Sequence, residues 1–302
     1  MSLLFNSFSD WSDHVQNTDE PVWHAVMEYE KFQKDRSEAE IWEKLAQAYA
    51  VMIDAVQTGL ERDMTSLSGM ISNGAKKVKD CKVQVLGPEF HMLVYNTLSA
   101  KELNACMGRV VAAPTAGASG IMPGVLSTME AIHKPSKRTL YESMLVAAGV
   151  ALIIENRASI SGAVGGCQAE TGTAAAMGAA AIVYCLGGDM NMILESVSIT
   201  IMNMLGLICD PVAGLVEIPC VKRNASASVI AFSSAQIALA GDSAGIPVDE
   251  VVDVMGEVGA SMEVKYKETA MGGLAATPTG QDIASRVLKH AAESMEEEEE
   301  TV

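Results

Sequence analysis

Apolar residues recur every three or four positions along most of this chain and almost nowhere at every second position. That spacing is the signature of helices with one buried face. The pattern is plainest after Ser37-Glu38-Ala39-Glu40, which reads as a capping box closing a helix start. Ile41, Leu45, Ala48, Met52, Val56 and Leu60 follow on one face. Residues 62–88 are polar, contain Gly69, Asn73-Gly74 and Gly87-Pro88, and predict a loop-rich connection. From about residue 89 to 260 small apolar residues dominate. The spacing there predicts helices over 89–107, 123–133, 137–156, 168–186, 190–205, 221–241 and 248–258. Pro123 and Pro247 suit first-turn positions, and Asp189 suits a helix cap. Only 83–86 and 110–111 read as short strands. The expected class is all-α: a multi-helix domain of tightly packed Ala/Gly-rich helices, its polar breaks at 112–124, 157–167, 206–220 and 270–281. Residues 1–290 are expected to form a single helical domain with an N-terminal arm over about 1–60, and 291–302 an acidic, disordered tail.

Composition adds scale. With 302 residues, 49% of them hydrophobic, the chain can bury a large core. Aromatic residues are only 5%, and Trp11, Trp23, Trp42 and Tyr49 all fall in the first third, where they pack the arm or an interface. Small side chains let helices approach closely, and the abundant methionine fills irregular gaps. A net charge of −17 argues against nucleic acid and against an anionic membrane surface. The opening residues lack the basic segment of a secretory signal. The longest apolar runs, 174–186 and 145–154, fall short of the roughly 18–20 residues that span a bilayer. These features predict a cytoplasmic chain with reduced cysteines.

Three cysteines sit in the polar breaks: Cys167 after Gly165-Gly166, Cys209 in Cys209-Asp210-Pro211, and Cys220 after Pro219. Cys167 and Cys220 stand at helix starts, where free N–H groups favour a thiolate. Cys106 and Cys185 lie inside predicted helices as small hydrophobes, and Cys81 lies in a lysine-rich polar stretch. The intervals do not form the compact ladder of a ferredoxin. Three thiolates suit zinc completed by water, or a [4Fe–4S] cluster with one iron free; as core residues they would bind nothing. The five histidines form no HxxxH or CxxH pair near these breaks, which argues against zinc.

Other groups gather in the same breaks. The loop 113–120 carries Thr115, Gly117, Ser119 and Gly120, and its N–H groups suit either a carboxylate or an ordinary turn. It lacks the lysine of a P-loop and the spacing of a dinucleotide fingerprint. Ser159 and Ser161 precede Cys167, either to orient a polar substrate or to cap a helix. Lys222-Arg223-Asn224 lies one turn beyond Cys220, where cations lower a thiol pKa and attract an anion.

Four stretches carry a resemblance: GRVVAAPTAGASGIMPGVL (108–126), ASISGAVGGCQAETG (158–172), LGLICDPVAGLVEIPCVKRNASAS (205–228) and KYKETAMGGLA (265–275). From about residue 45 to 290 the chain resembles the α subunit of iron–sulfur-dependent L-serine dehydratases, also called L-serine ammonia-lyases. The resemblance implies a mostly helical fold and a [4Fe–4S] cluster on Cys167, Cys209 and Cys220. It implies β-elimination of L-serine to pyruvate and ammonia, without pyridoxal phosphate. Thr115, Ser119, Ser159 and Ser161 become candidate substrate-binding residues; Lys222, Asn224 and Lys265 become candidates for acid/base or carboxylate roles. Single-chain relatives carry an extra N-terminal β-type domain, so a separate β subunit and a hetero-oligomer are implied, and the base lies on either chain. Those relatives read Thr-Asn-Gly at Thr115-Ala116-Gly117 and His at Asn203, and some end in a cysteine that folds into the site. No cysteine follows Cys220 here. The rival readings are a related lyase acting on cysteine or threonine, and a non-catalytic scaffold subunit.

Overall fold

The most alanine-rich stretch of the chain is also its innermost. In the computed structural model, which describes residues 6–300 and side chains as far as residue 290, every residue from Thr173 to Val183 is buried. Alanine has the highest helix propensity, and a helix apolar all round is stable only when other helices cover it. Thirteen α-helices are present among the described residues: α1 Phe8–Thr18, α2 His24–Lys34, α3 Glu38–Glu61, α4 Gly74–Lys79, α5 Pro88–Ala105, α6 Ile121–Ile132, α7 Lys137–Arg157, α8 Gly162–Gly165, α9 Thr173–Cys185, α10 Met190–Met204, α11 Cys220–Leu239, α12 Val248–Ser261 and α13 Pro278–Glu300. The central α9 packs against α6, α7, α10 and α11, and α5 packs against α3, α4, α6 and α11. The all-α class follows directly.

Local signals read from sequence recur in the coordinates. Ser37 Oγ accepts from Glu40 N–H at 3.3 Å, and the Glu40 carboxylate accepts from Ser37 N–H at 2.8 Å. Asp189 caps α10 through Met192 N–H at 2.9 Å. Pro247 is the cap of α12, and Pro123 sits in the first turn of α6.

Differences are equally local. Residues 83–86 and 110–111 form no strand; Val83 and Val85 are exposed, with no partner segment to pair with. Among the described residues the isolated bridges Thr65↔Ser72 and Cys209↔Lys267 are the β pairing present. The connection 62–88 contains α4, whose Ala75 N–H is held by the buried carboxylate of Glu102 at 3.0 Å. The helix expected over 168–186 begins as a wider π turn, Gln168–Gly172, before α9. The expected disordered tail over 291–302 falls where side chains lie outside the described residues, although the α13 backbone runs through to Glu300.

The N-terminal arm folds back onto the core. Phe8 and Trp11 are buried, Trp11 donates to Val22 O at 3.1 Å, and Asp249 accepts from Phe8 N–H at 2.8 Å. The Arg138 guanidinium lies 3.7 Å from the Trp42 ring centroid. One described helix, α7, is long and apolar enough by length and composition to cross a membrane. Leu140, Val146, Val150, Ile153 and Ile154 of α7 are buried, and the helix packs against α9.

Helix contacts this close depend on missing side chains. A Cβ at Gly124 of α6 would overlap Thr97 Oγ1 and lie 2.9 Å from the Thr97 Cα of α5. Thr97 is itself held by a 3.1 Å hydrogen bond to Ser228 of α11. Gly124→Ala is therefore expected to destabilise the fold by about 1–3 kcal/mol, the cost of overpacking a rigid contact. Chemical denaturation checks this: the midpoint falls while the slope stays near wild type.

Candidate metal centre

Two of the breaks between helices, 157–167 and 206–220, deliver three cysteines to one region of the fold. Gly166, at φ +76°, turns the chain after α8 and puts Cys167 immediately before the π turn. A positive φ of this kind is open to glycine at little cost. Cys167 Sγ lies 2.9 Å from Thr171 Oγ1 within that turn. Cys220 is the first residue of α11. Cys209 belongs to no helix. It is held by a short bridge to a distant segment: Cys209 N–H donates to Tyr266 O at 2.8 Å, and Glu268 N–H donates to Cys209 O at 2.8 Å. All three are buried.

Carboxylates join them. Ligand atoms of Glu170, Cys209 and Glu268 lie within 4.8 Å of one another. Glycines make the space. A Cβ at Gly162 would stand 2.8 Å from Glu170 Oε2, 3.1 Å from Glu268 Oε2 and 3.2 Å from Cys209 Sγ. Gly117 leaves the same kind of room beside Glu170 Oε1, at 2.8 Å. Thr115 Oγ1 donates to Glu170 Oε1 at 2.7 Å, fixing the carboxylate against the loop.

The loop itself is clamped. Asn224 spends its whole amide on backbone: it donates to Gly117 O and Cys220 O, both at 2.9 Å, and accepts from Gly120 N–H at 3.1 Å. Ser119 is fully buried with its hydroxyl unpartnered. On the Cys209 side, buried Asp210 pairs with Arg223 at 2.8 Å and accepts from Leu274 N–H at 2.7 Å. Arg223 also donates to Ile208 O at 2.8 Å. Glu217, three residues before Cys220, accepts from Ser66 Oγ at 2.5 Å and is bonded by Ser68 Oγ as well.

Electrostatics here favour neutrality. Burial pushes the Cys167 thiol up, with Arg223 and Thr171 opposing it. Burial pushes Cys209 up, reinforced by Cys167, Glu170, Glu268 and Cys220. Burial and then Cys167 push Cys220 up to about 12. The helix-start argument for ready thiolates is therefore corrected: desolvation outweighs the helix end in the metal-free chain. Burial also raises Glu170, with Thr115 opposing. Lys101, fully buried on α5, is driven down to about 8 by burial, while Cys220, Glu170 and Cys167 hold it up.

The other residues singled out from sequence lie as follows. Lys222 is exposed and points toward α4, its Nζ 3.4 Å from where a Gly74 Cβ would be. Its neighbour Arg223 faces the thiols instead. Lys265 pairs with Glu263 at 2.8 Å, with its side chain 41% exposed. Ser159 accepts from Ser161 N–H at 3.0 Å and lines a cavity of about 220 Å3 with Gln168 and Met255. Arg223 was read from sequence as a cation beside a thiol, and it does act on Cys167; Glu170, Glu268 and Lys101 were missed. Glu170 and Glu268 lie inside motifs already quoted, and Lys101 lies on a turn of α5 where Asn96, Thr97, Ser99, Lys101 and Glu102 are all buried.

Three buried sulfurs with carboxylates beside them, approached closely by Gly117 and Gly162, fit a soft metal centre with a position left for another ligand. Metal binding would supply the charge that lets the thiols ionise.

A family model described as serine dehydratase alpha chain matches residues 17–275. A probable L-serine dehydratase alpha chain of Bacillus subtilis is 41% identical over 265 residues, covering 87% of this chain and 88% of that one. The L-serine dehydratase alpha chain of Peptoniphilus asaccharolyticus is 42% identical over 271 residues, covering 89% and 93%. An L-serine dehydratase of Streptomyces coelicolor is 40% identical over 248 residues, but only 54% of that longer chain is covered.

Burial dictates thiol behaviour. In the metal-free chain near pH 8, exposed Cys81 is expected to react fast with a disulfide reagent, and Cys167, Cys209 and Cys220 slowly. Cys81→Ser should remove the fast phase. Because the folded thiols titrate above their usual value of 9.0, the stability they contribute is complete below pH 9 and is lost as pH rises through their folded values, about 12 for Cys220. Lys101 acts in the opposite sense between about 8 and 10.5, one group against three. Denaturation midpoints from pH 9 to about 12 check the sign: they should fall.

Proposed function

Because the chain belongs to the serine dehydratase alpha chain family, we propose that it is the catalytic α chain of a cytoplasmic lyase taking L-serine to pyruvate and ammonia. The observation that carries this reading is the meeting of Cys167, Cys209 and Cys220 with Glu170 in one buried place. Those three cysteines would hold a [4Fe–4S] cluster. When bound, the cluster supplies a Lewis acid at the iron that no cysteine holds, which offsets the charge of a departing hydroxide. The α-chain names of the relatives support a separate β chain as partner in a hetero-oligomer.

The protein's own groups then bind and move protons. Glu170 is the base: a desolvated carboxylate with raised proton affinity, fixed by Thr115, takes the α-proton of serine on Oε2. Loss of hydroxide leaves aminoacrylate. This tautomerises to the imine, and water hydrolyses it to pyruvate and ammonia. The free hydroxyl of Ser119 meets the polar end of the substrate, and Thr115 keeps Glu170 aligned. Ser159 and Ser161 shape the turn that leads into Cys167. Asn224 holds the substrate loop against Cys220, and Lys222 and Lys265 serve the surface around the site.

Anaerobic reconstitution with iron, sulfide and the β chain tests the reading. About four iron and four sulfide per α chain are expected, with pyruvate formed from L-serine. Cys209→Ala should lose both the brown absorbance and the activity. Glu170→Gln should keep the iron and lose roughly 10²–10⁴-fold in turnover. Serine dehydration at full rate without iron would sink the proposal, and a faster reaction with threonine or cysteine would reassign the substrate.

A further inference from the structure

One buried charge is not used by this scheme. Lys101 lies on α5 with no exposed surface. Its ammonium donates to Asn104 Oδ1 at 2.5 Å and to Ala116 O at 2.7 Å. Both partners are neutral, and among the described residues no carboxylate oxygen lies within 4.0 Å of it. The adjacent Glu102 turns away to cap α4 through Ala75 N–H. A buried ammonium without a counter-ion is costly, so its position is explained by the anions it faces in the working state. Those are Cys220, Glu170 and Cys167, the negative groups that act on it across the site.

The connection is also mechanical. Ala116 lies between Thr115, which fixes Glu170, and Gly117, whose carbonyl is tied through Asn224 to Cys220. A Cβ at Gly120, the end of the same loop, would stand 2.7 Å from Lys101 Cβ and 3.1 Å from Asn224 Oδ1. Lys101 therefore brackets the loop from one side and Asn224 from the other.

We propose that Lys101 is a positioning residue of the metal centre: its buried ammonium is the fixed counter-charge of the metal-bound thiolates, tethered through Ala116 to the loop that carries Thr115 and Ser119. This rests on the metal-bearing reading above. Neither relatives' names nor the sequence motifs assign the residue a role. The charge lowers the free energy of the anionic, loaded centre and disfavours the metal-free one.

Four chains, reconstituted anaerobically with iron and sulfide, test this. They are wild type, Lys101→Gln, Lys101→Arg and Asn104→Asp. Lys101→Gln keeps a donor for Ala116 O but removes the charge. Asn104→Asp leaves Lys101 in place and pairs it internally. The readouts are cluster bleaching by an iron chelator, the cluster's reduction potential and the melting temperature of the metal-free chain. Lys101→Gln and Asn104→Asp should bleach on the order of tenfold faster, as expected for loss of one nearby charge. Both should also shift the potential to more negative values, because added negative charge resists reduction. Lys101→Arg should stay near wild type. Metal-free Lys101→Gln should melt at or above the wild-type temperature. Wild-type bleaching and potential in both neutralised chains would overturn the proposal. So would a change confined to KM for serine, which would assign the charge to the substrate carboxylate. Failure of wild type itself to load iron would instead defeat the metal-bearing reading.

Discussion

The structure is governed by the cost of keeping ionisable groups out of water. Cys167, Cys209, Cys220 and Glu170 are all driven toward their neutral forms, and Lys101 is driven toward its own. Three of these costs are partly offset by a neighbour: Thr171 and Arg223 for Cys167, Thr115 for Glu170, Asn104 and Ala116 for Lys101. A protein gains nothing in stability from such an arrangement. It makes sense as a receptor for a charge brought from outside, and a metal held by three sulfurs is the charge that this donor set fits.

The helical core serves that receptor by being rigid and thin. Alanine and glycine let α9, α5, α6 and α11 approach so closely that the breaks between them converge. Loop residues that would otherwise be mobile are then pinned by side chains reaching across: Asn224 to Gly117 and Gly120, Asp210 to Arg223 and Leu274, Glu217 to Ser66 and Ser68. Pinning of this kind fixes donor geometry before a ligand arrives, which is what a reactive centre requires.

Much of this was legible in the residues alone, and the limits were physical. Ser37 and Asp189 announced their helices because capping is a local event. The long helices were legible because their periodicity runs for several turns. Residues 83–86 and 110–111 misled because alternation over two to four residues does not supply a partner strand. The cysteines stood out because glycine and proline surround them, yet their ionisation was misjudged, since burial is not written in a neighbour. Lys222 and Arg223 show the same limit: adjacent in sequence, they leave α11 about 100° apart, and only Arg223 meets the thiols. Glu170 and Lys101 became visible only when loop and helix were seen together.

The bridge that holds Cys209 has a consequence for how the protein is made. Tyr266 and Glu268 grip the backbone at Cys209, and Leu274 grips Asp210 beside it. These contacts join positions more than fifty residues apart, across α11 and α12. During synthesis the core around α9 has its partner helices as soon as α11 emerges, and Arg223 can hold Ile208 and Asp210, but the backbone of Cys209 itself lacks its two hydrogen bonds until the 264–274 segment is made. A product ending before residue 264 would therefore carry the helical core with the backbone at Cys209 unheld by Tyr266 and Glu268.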